Sequence, residues 1–343
     1  MVTRTYVKSS STVGWGLTSR KRVTCLLVTG GDLAEVLQKF PNVQRLKIYN
    51  SFNDNVCGLI LPHTIHYLEF GFAFNQTLSV GFLPPSLREL VMGHSFNQRI
   101  MCGQLPHTLQ TLRFGSCFNQ TIKCRHLPRY LKRIHFGDDF NQILHHDVLP
   151  PYIESVVFGA MFNKRLLPGV LPLAIKIVKF GRAFNHDIRH HNKIPVLPDG
   201  ITHLVFGDHF NQEVFPGTLP KCLKYMFFGH HFDQPIAPGT LPGSLRYLRF
   251  GACFNQPINS GVLPQSLRQM YFSVEFDQVI KQHTIPPNLH ELGFGTYFNQ
   301  SLTDPVVLPS GLRALHLPHW YTRNTPTLSP IISTSKKRPR SLS

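Results

Sequence analysis

No run of 18 apolar residues occurs in this 343-residue chain, so no membrane-spanning helix is expected. No signal-peptide apolar core follows Met1. Acidic residues are scarce, 18 against 35 Lys and Arg, and the first 31 residues contain none. The resulting net charge of +17 favours acidic partners, whether a protein surface, nucleic acid or anionic lipid. None of the seven cysteines (Cys25, Cys57, Cys102, Cys117, Cys124, Cys222 and Cys253) forms a Cys-x-x-Cys pair, and their number is odd. That fits free thiols in a reducing, intracellular setting. Walker, nucleophile-elbow and His-Glu-x-x-His strings are all missing, so neither an enzyme nor a bound cofactor or small-molecule substrate is expected.

What the chain does have is repetition. Leu83 to Gln104, Leu105 to His126 and Leu241 to Val262 are versions of one 22-residue phrase. Full copies start at Leu61, Leu83, Leu105, Leu127, Leu149, Leu171, Leu197, Leu219, Leu241, Leu263 and Ile285, with a truncated twelfth at Leu308 and a degenerate leading copy from Phe40. The copy at Leu171 has 26 residues, its extra four near His190–Ile194, and that at Ile285 has 23. With the opening residue numbered zero, apolar side chains recur at 0, +4, +7, +9, +13 and +17. Phe fills +13 in all eleven full copies, and Gly fills +10 in ten, Ser273 being the exception.

Apolar residues two apart at +7 and +9 read as a strand with one buried face. Pro at +1 and Gly at +10, read as a residue permitting a turn, keep that strand short. One copy cannot fold alone, because ordering 22 residues costs about 1.5 kcal/mol each. Burying an apolar side chain returns only about 1.5–3 kcal/mol. Copies stacked roughly 4.8 Å apart place +7 over +7 and +9 over +9 as a parallel sheet, with Phe at +13 as a second buried column. Asn or Asp at +14, followed in nine copies by Gln, is read as scaffolding that satisfies turn amides from rung to rung. The fold class is mainly β: a solenoid of about 12 stacked rungs with a parallel sheet on one face.

The phrase LPGSLRYLRFGACFNQPI, Leu241 to Ile258, resembles the FNIP repeat. The likeness covers roughly residues 40–317, with Phe-Asn-Gln where the family name has Phe-Asn-Ile. It implies a leucine-rich-repeat-like fold, of a family frequent in social amoebae and giant viruses. Some members carry an F-box, so a ubiquitin-ligase adaptor is a third functional reading resting on the resemblance alone; residues 1–39 show no such helical pattern.

Residues 1–22 are expected to be a basic, disordered start, with a faint resemblance to a transit peptide. Residues 23–39 form an N-terminal cap, a strand from Val23 to Val28 and a helix from Leu33 to Lys39 begun at Asp32. The solenoid spans 40–321, and Trp320 with Tyr321 is expected to close its apolar end. Residues 322–343 read as a disordered basic tail in which Lys336–Arg340 resembles a nuclear-import signal.

If +7 and +9 point inward, +6 and +8 face out and carry the variable residues. Tyr225, Phe227, Tyr247, Arg249 and Tyr271 then lie together on three neighbouring rungs, and aromatic and Arg side chains anchor interfaces. Position +5 is Lys or Arg in seven of twelve copies, and Lys224, Arg246 and Arg268 border the aromatic group. These eight residues are the candidate site. The first reading is an interaction scaffold for an acidic protein surface; the second is a nucleic-acid binder using the basic stripe. The 19 histidines, including the pairs His145–His146, His190–His191 and His230–His231, match no zinc-module spacing and are read as surface residues, with no metal site expected.

Overall fold

The structure, a computed structural model, describes residues 4–7, 24–28, 32–189, 195–302, 308–321 and 332–333. The chain divides into two compact units, Met1–Lys164 and Arg165–Ser343. The first holds β1 (Arg4–Val7), β2 (Cys25–Val28), α1 (Leu33–Lys39), β3 (Arg45–Ile48), β4 (Tyr67–Glu69), β5 (Glu89–Val91), β6 (Thr111–Arg113), β7 (Arg133–His135) and β8 (Ser155–Val157). Its strands pair in chain order, all parallel. The second holds β9 (Ile177–Lys179), β10 (His203–Val205), β11 (Tyr225–Phe227), β12 (Tyr247–Arg249), β13 (Gln269–Tyr271), β14 (Glu291–Gly293), β15 (Ala314–His316) and β16 (Ile332–Ser333), again paired in order and parallel. Each unit is a β-solenoid stack of rungs. The longer copies are absorbed outside the strands, so Ile177 still opposes His203 and Glu291 still opposes Ala314.

Register follows from the repeat. The amides of +5 and +6 both donate to the +5 carbonyl of the rung before, as Arg246 and Tyr247 do to Lys224. The +9 amide donates to the +8 carbonyl of the next rung, as Phe228 does to Arg249. Three tight turns complete a rung. The +4 amide closes the first onto the proline carbonyl at +1, as in Leu245 to Pro242. The +13 amide closes the second onto +10, as in Phe232 to Gly229. The third spans +18 to +21 and puts +20 in the left-handed region that favours glycine. Gly217, Gly239 and Gly261 occupy it, but so do Arg125, Asp147 and His283.

Position +10 needs glycine for a different reason from the one its sequence suggests. Its φ is not in the left-handed region, but the rungs approach so closely there that a Cβ on Gly229 would lie 1.7 Å from the Gly207 carbonyl oxygen. Where Ser273 replaces it, the side chain is buried, its hydroxyl donates to the Phe254 carbonyl at 2.5 Å, and the local turn relaxes to a bend.

The core is two touching phenylalanine columns. Every +13 Phe from Phe74 to Phe298 is at most 1% exposed. Neighbours along that column stack at 6.0–6.2 Å, as in Phe210–Phe232–Phe254–Phe276–Phe298. Within a rung the +9 ring lies flat on the +13 ring at about 3.8 Å, as Phe228 does on Phe232. Tyr321 is the +13 member of the truncated copy: it stacks on Phe298 at 6.0 Å and its hydroxyl donates to the Gln300 carbonyl. Trp320, expected to share that closing role, stays 37% exposed.

The Asn ladder is scaffolding. Asn97 Oδ1 accepts from the Asn119 amide at 2.9 Å and from Gln120 Nε2 at 3.1 Å, and the pattern recurs on other rungs. Asp233 and Asp277 serve equally, because only an acceptor oxygen is required. Asn97→Asp is therefore expected to change stability by less than about 1 kcal/mol, and Asn97→Leu to cost about 1–3 kcal/mol by orphaning both donors, measured by urea denaturation.

At the N-terminus, the Asp32 side chain accepts from the Ala34 and Glu35 amides, and α1 buries Leu33, Val36 and Leu37. Glu35 pairs with Lys39 at 2.5 Å instead of reaching back to the Asp32 amide. Within residues 1–22, β1 pairs with β2; the rest of that stretch, the insertion at 190–194 and the import-like run Lys336–Arg340 lie outside the described residues. All seven cysteines are free, Cys102 and Cys124 included. Among the described residues, no helix is long and apolar enough to cross a membrane.

Candidate functional site

Parallel pairing in register sets Tyr225 beside Tyr247 and Tyr247 beside Gln269, with Phe227, Arg249 and Tyr271 abreast on the same face. The rings form a ribbon across β11–β13. Phe227 meets Tyr247 at 4.9 Å, Tyr225 meets Tyr247 at 6.2 Å, and Tyr247 meets Tyr271 at 5.8 Å. All are half-buried, since each ring covers its neighbour while one edge stays in water. Lys224 and Arg246 flank the ribbon and are exposed. Arg268 differs: its guanidinium donates to the carbonyls of Leu267 and Asn288, each at 3.3 Å, and is half-buried.

Five more residues complete the arrangement. His203 extends the ribbon, stacked on Tyr225 at 4.4 Å. Glu291 is its anchor. The Tyr271 hydroxyl donates to the Glu291 carboxylate, Gln269 Nε2 does so at 2.8 Å, and His316 Nε2 lies 2.9 Å away. Gly293 leaves the space for this, because a Cβ there would sit 2.6 Å from the Tyr271 ring. Burial works to raise the Glu291 pKa, but the bonds from Tyr271 and His316 outweigh it and hold the carboxyl below its usual range. Burial and that same carboxylate push the Tyr271 phenol well above its ordinary value. Burial also raises Tyr247, against the opposing pull of Arg249. His203, Gln269, Glu291, Gly293 and His316 all occupy outward positions in the repeat. Their cross-rung pairing, invisible within any one copy, is what makes them part of the site.

The outward face is not uniformly open. Thr111 and Ser155, at +6, are buried because short side chains are shaded by longer neighbours in register, Glu89 and Arg133 around Thr111 and Arg133 beside Ser155. The first unit has a related cluster beside a cleft of about 700 Å³ lined by Arg45, Lys47, Tyr49, Glu69 and Phe72. There the Arg45 guanidinium lies 4.0 Å over the Tyr67 ring, Lys47 pairs with Glu69 at 2.6 Å, and Tyr67 donates to Glu69. Both cations are already engaged, so this cleft offers a partner less than β11–β13 does. On a turn away from the sheet face, His230, His231 and Cys253 bring ligand atoms within 4.8 Å of one another, although no metal site was expected from their spacing.

The FNIP Repeat family matches residues 74–117, 118–160, 162–195, 191–231, 232–274 and 276–319. No curated protein is significantly similar in sequence. Among solved structures, the chain is similar to CroV588, described as a novel circular LRR protein, with 37% identity and a TM-score of 0.81. The alignment covers 86% of this chain and 43% of CroV588, so the chain spans less than half of that protein's length. It shares its fold with the TLR13 chain of a TLR13–ssRNA13 complex at 12% identity and a TM-score of 0.59, over 88% of this chain and 51% of that one.

Proposed function

The chain belongs to the FNIP repeat family, and from that premise we propose that it is a non-enzymatic interaction scaffold gripping a protein with an acidic surface through β11–β13. The observation that carries this reading is the aromatic ribbon Tyr225–Tyr247–Tyr271, with Phe227 against Tyr247 and exposed cations along its border. Rings held by their neighbours lose little freedom on binding, which lowers the cost of association. Lys224, Arg246 and Arg249 supply charge complementarity and speed encounter with an acidic surface. Glu291, hydrogen-bonded on several sides, orders one end of the ribbon before any partner arrives.

Affinity capture with mass spectrometry identifies the partner. Arg246→Glu combined with Tyr247→Ala is expected to weaken its binding by about 30-fold or more, the loss of one or two anchors. The melting temperature should fall by only a few degrees, because Tyr247 gives up cross-strand ring contacts but neither side chain belongs to the phenylalanine core. An unchanged set of captured proteins would remove the site from β11–β13. A nucleic-acid partner is the other outcome of the same approach: labelled single-stranded RNA would then bind at low salt, with a log–log salt slope reduced by about one for each cation removed.

A further inference from the structure

Position +12 follows the close approach at +10 and stands at the outer corner of each rung. Its amide donates to the +11 carbonyl of the preceding rung: His231 to Asp208 at 2.8 Å, Cys253 to His230 at 2.9 Å and Glu275 to Ala252 at 3.0 Å. These bonds stack the +12 side chains in register. On three consecutive rungs they are His231, Cys253 and Glu275, with His230 adjoining at +11. Cys253 Sγ lies 3.9 Å from His231 Nδ1, and the three ligand atoms of His230, His231 and Cys253 all lie within 4.8 Å of one another. Tetrahedral zinc, with Zn–S about 2.3 Å and Zn–N about 2.0–2.1 Å, sets sulfur and nitrogen ligands roughly 3.6 Å apart. The Cys253–His231 pair is thus close to a coordination edge, and the two exposed imidazoles need only rotate to close the rest.

We propose that His230, His231 and Cys253 form a surface site for a borderline-soft divalent transition metal, zinc above all, with Glu275 or water as the fourth ligand. One thiolate and two imidazoles are a donor set that selects such ions over calcium or magnesium. Glu275 lies against the thiol; burial, and then the Glu275 and Asp233 carboxylates, push the thiol pKa up. Metal binding displaces the thiol proton to solvent: M²⁺ and the Cys253 thiol, beside His230 and His231, yield the thiolate complex and H⁺. The site would clip two rungs together, and a third where Glu275 is the fourth ligand.

Cobalt(II) titration of the full chain in chelator-free reducing buffer tests this. We expect one equivalent to produce a thiolate-to-cobalt charge-transfer band and tetrahedral d–d absorption, both displaced by zinc. Cys253→Ser should abolish the charge-transfer band, and His231→Ala should weaken binding by about tenfold or more. The combination His145→Ala with His146→Ala should leave both signals as they were. No band at a modest excess of cobalt, or a band that survives Cys253→Ser, would overturn the assignment.

Discussion

Gly229→Ala should cost about 3 kcal/mol or more, although it adds a single methyl group. The new Cβ would lie 1.7 Å from the Gly207 oxygen and 2.4 Å from its carbonyl carbon. The obstruction is backbone, which cannot rotate away, so the two rungs must separate and strain the bonds on either side. The effect is specific to +10, and two other glycines in the same unit serve as controls. Gly239, with φ of +80° and nothing within 4 Å of a new Cβ, should lose only about 1–2 kcal/mol from its left-handed backbone when changed to Ala. Gly243 has neither a left-handed φ nor a close neighbour, so alanine there should be neutral or stabilise by up to about 1 kcal/mol. Urea denaturation of the three variants measures the order 229, then 239, then 243; a loss at 229 no larger than at 239 would mean that rung contact at +10 is looser than described.

Phe232→Ala should cost about 3–5 kcal/mol. The ring is fully buried, sandwiched between Phe210 and Phe254 at 6.1 and 6.0 Å, with Phe228 flat against it at 3.8 Å. Its removal leaves a cavity whose walls are themselves stacked rings fixed by the next rungs, so collapse is limited. In a stacked-rung protein each copy contacts only its neighbours, so the loss should be local. Hydrogen exchange should accelerate most at the rungs carrying Phe210, Phe232 and Phe254, and little in the first unit. A uniform acceleration would mean that the rungs do not behave as a nearest-neighbour array.

Much of this was legible because repetition within one chain acts as internal replication. The six apolar positions, the strand at +6 to +8 and the acceptor role of +14 each recur often enough to fix their environment. The misreadings have physical causes. Glycine at +10 does open a tight turn, as expected, but only coordinates show that a carbonyl one rung away is what requires glycine there. The left-handed position +20 was hidden because Arg125, Asp147 and His283 interrupt its glycines. Tyr321 does close the apolar end, and it does so by continuing the +13 column in the truncated copy at Leu308. Within the site, the aromatic ribbon followed from the outward positions. The Glu291 hub did not, because it joins three successive rungs: Gln269 and Tyr271 on β13, Glu291 on β14 and His316 on β15. His231 and Cys253, 22 residues apart, match no metal-binding spacing until stacking makes them neighbours.

Equivalent residues lie side by side from rung to rung throughout β10–β14. Amide hydrogen exchange resolved to single residues over β10–β14 measures this most directly. Slow exchange should recur every 22 residues, at Tyr225, Phe228 and Asp233, then at Tyr247, Phe250 and Asn255, whose amides bond to adjacent rungs. Protection without that recurrence, or fast exchange at these amides in the folded protein, would contradict it.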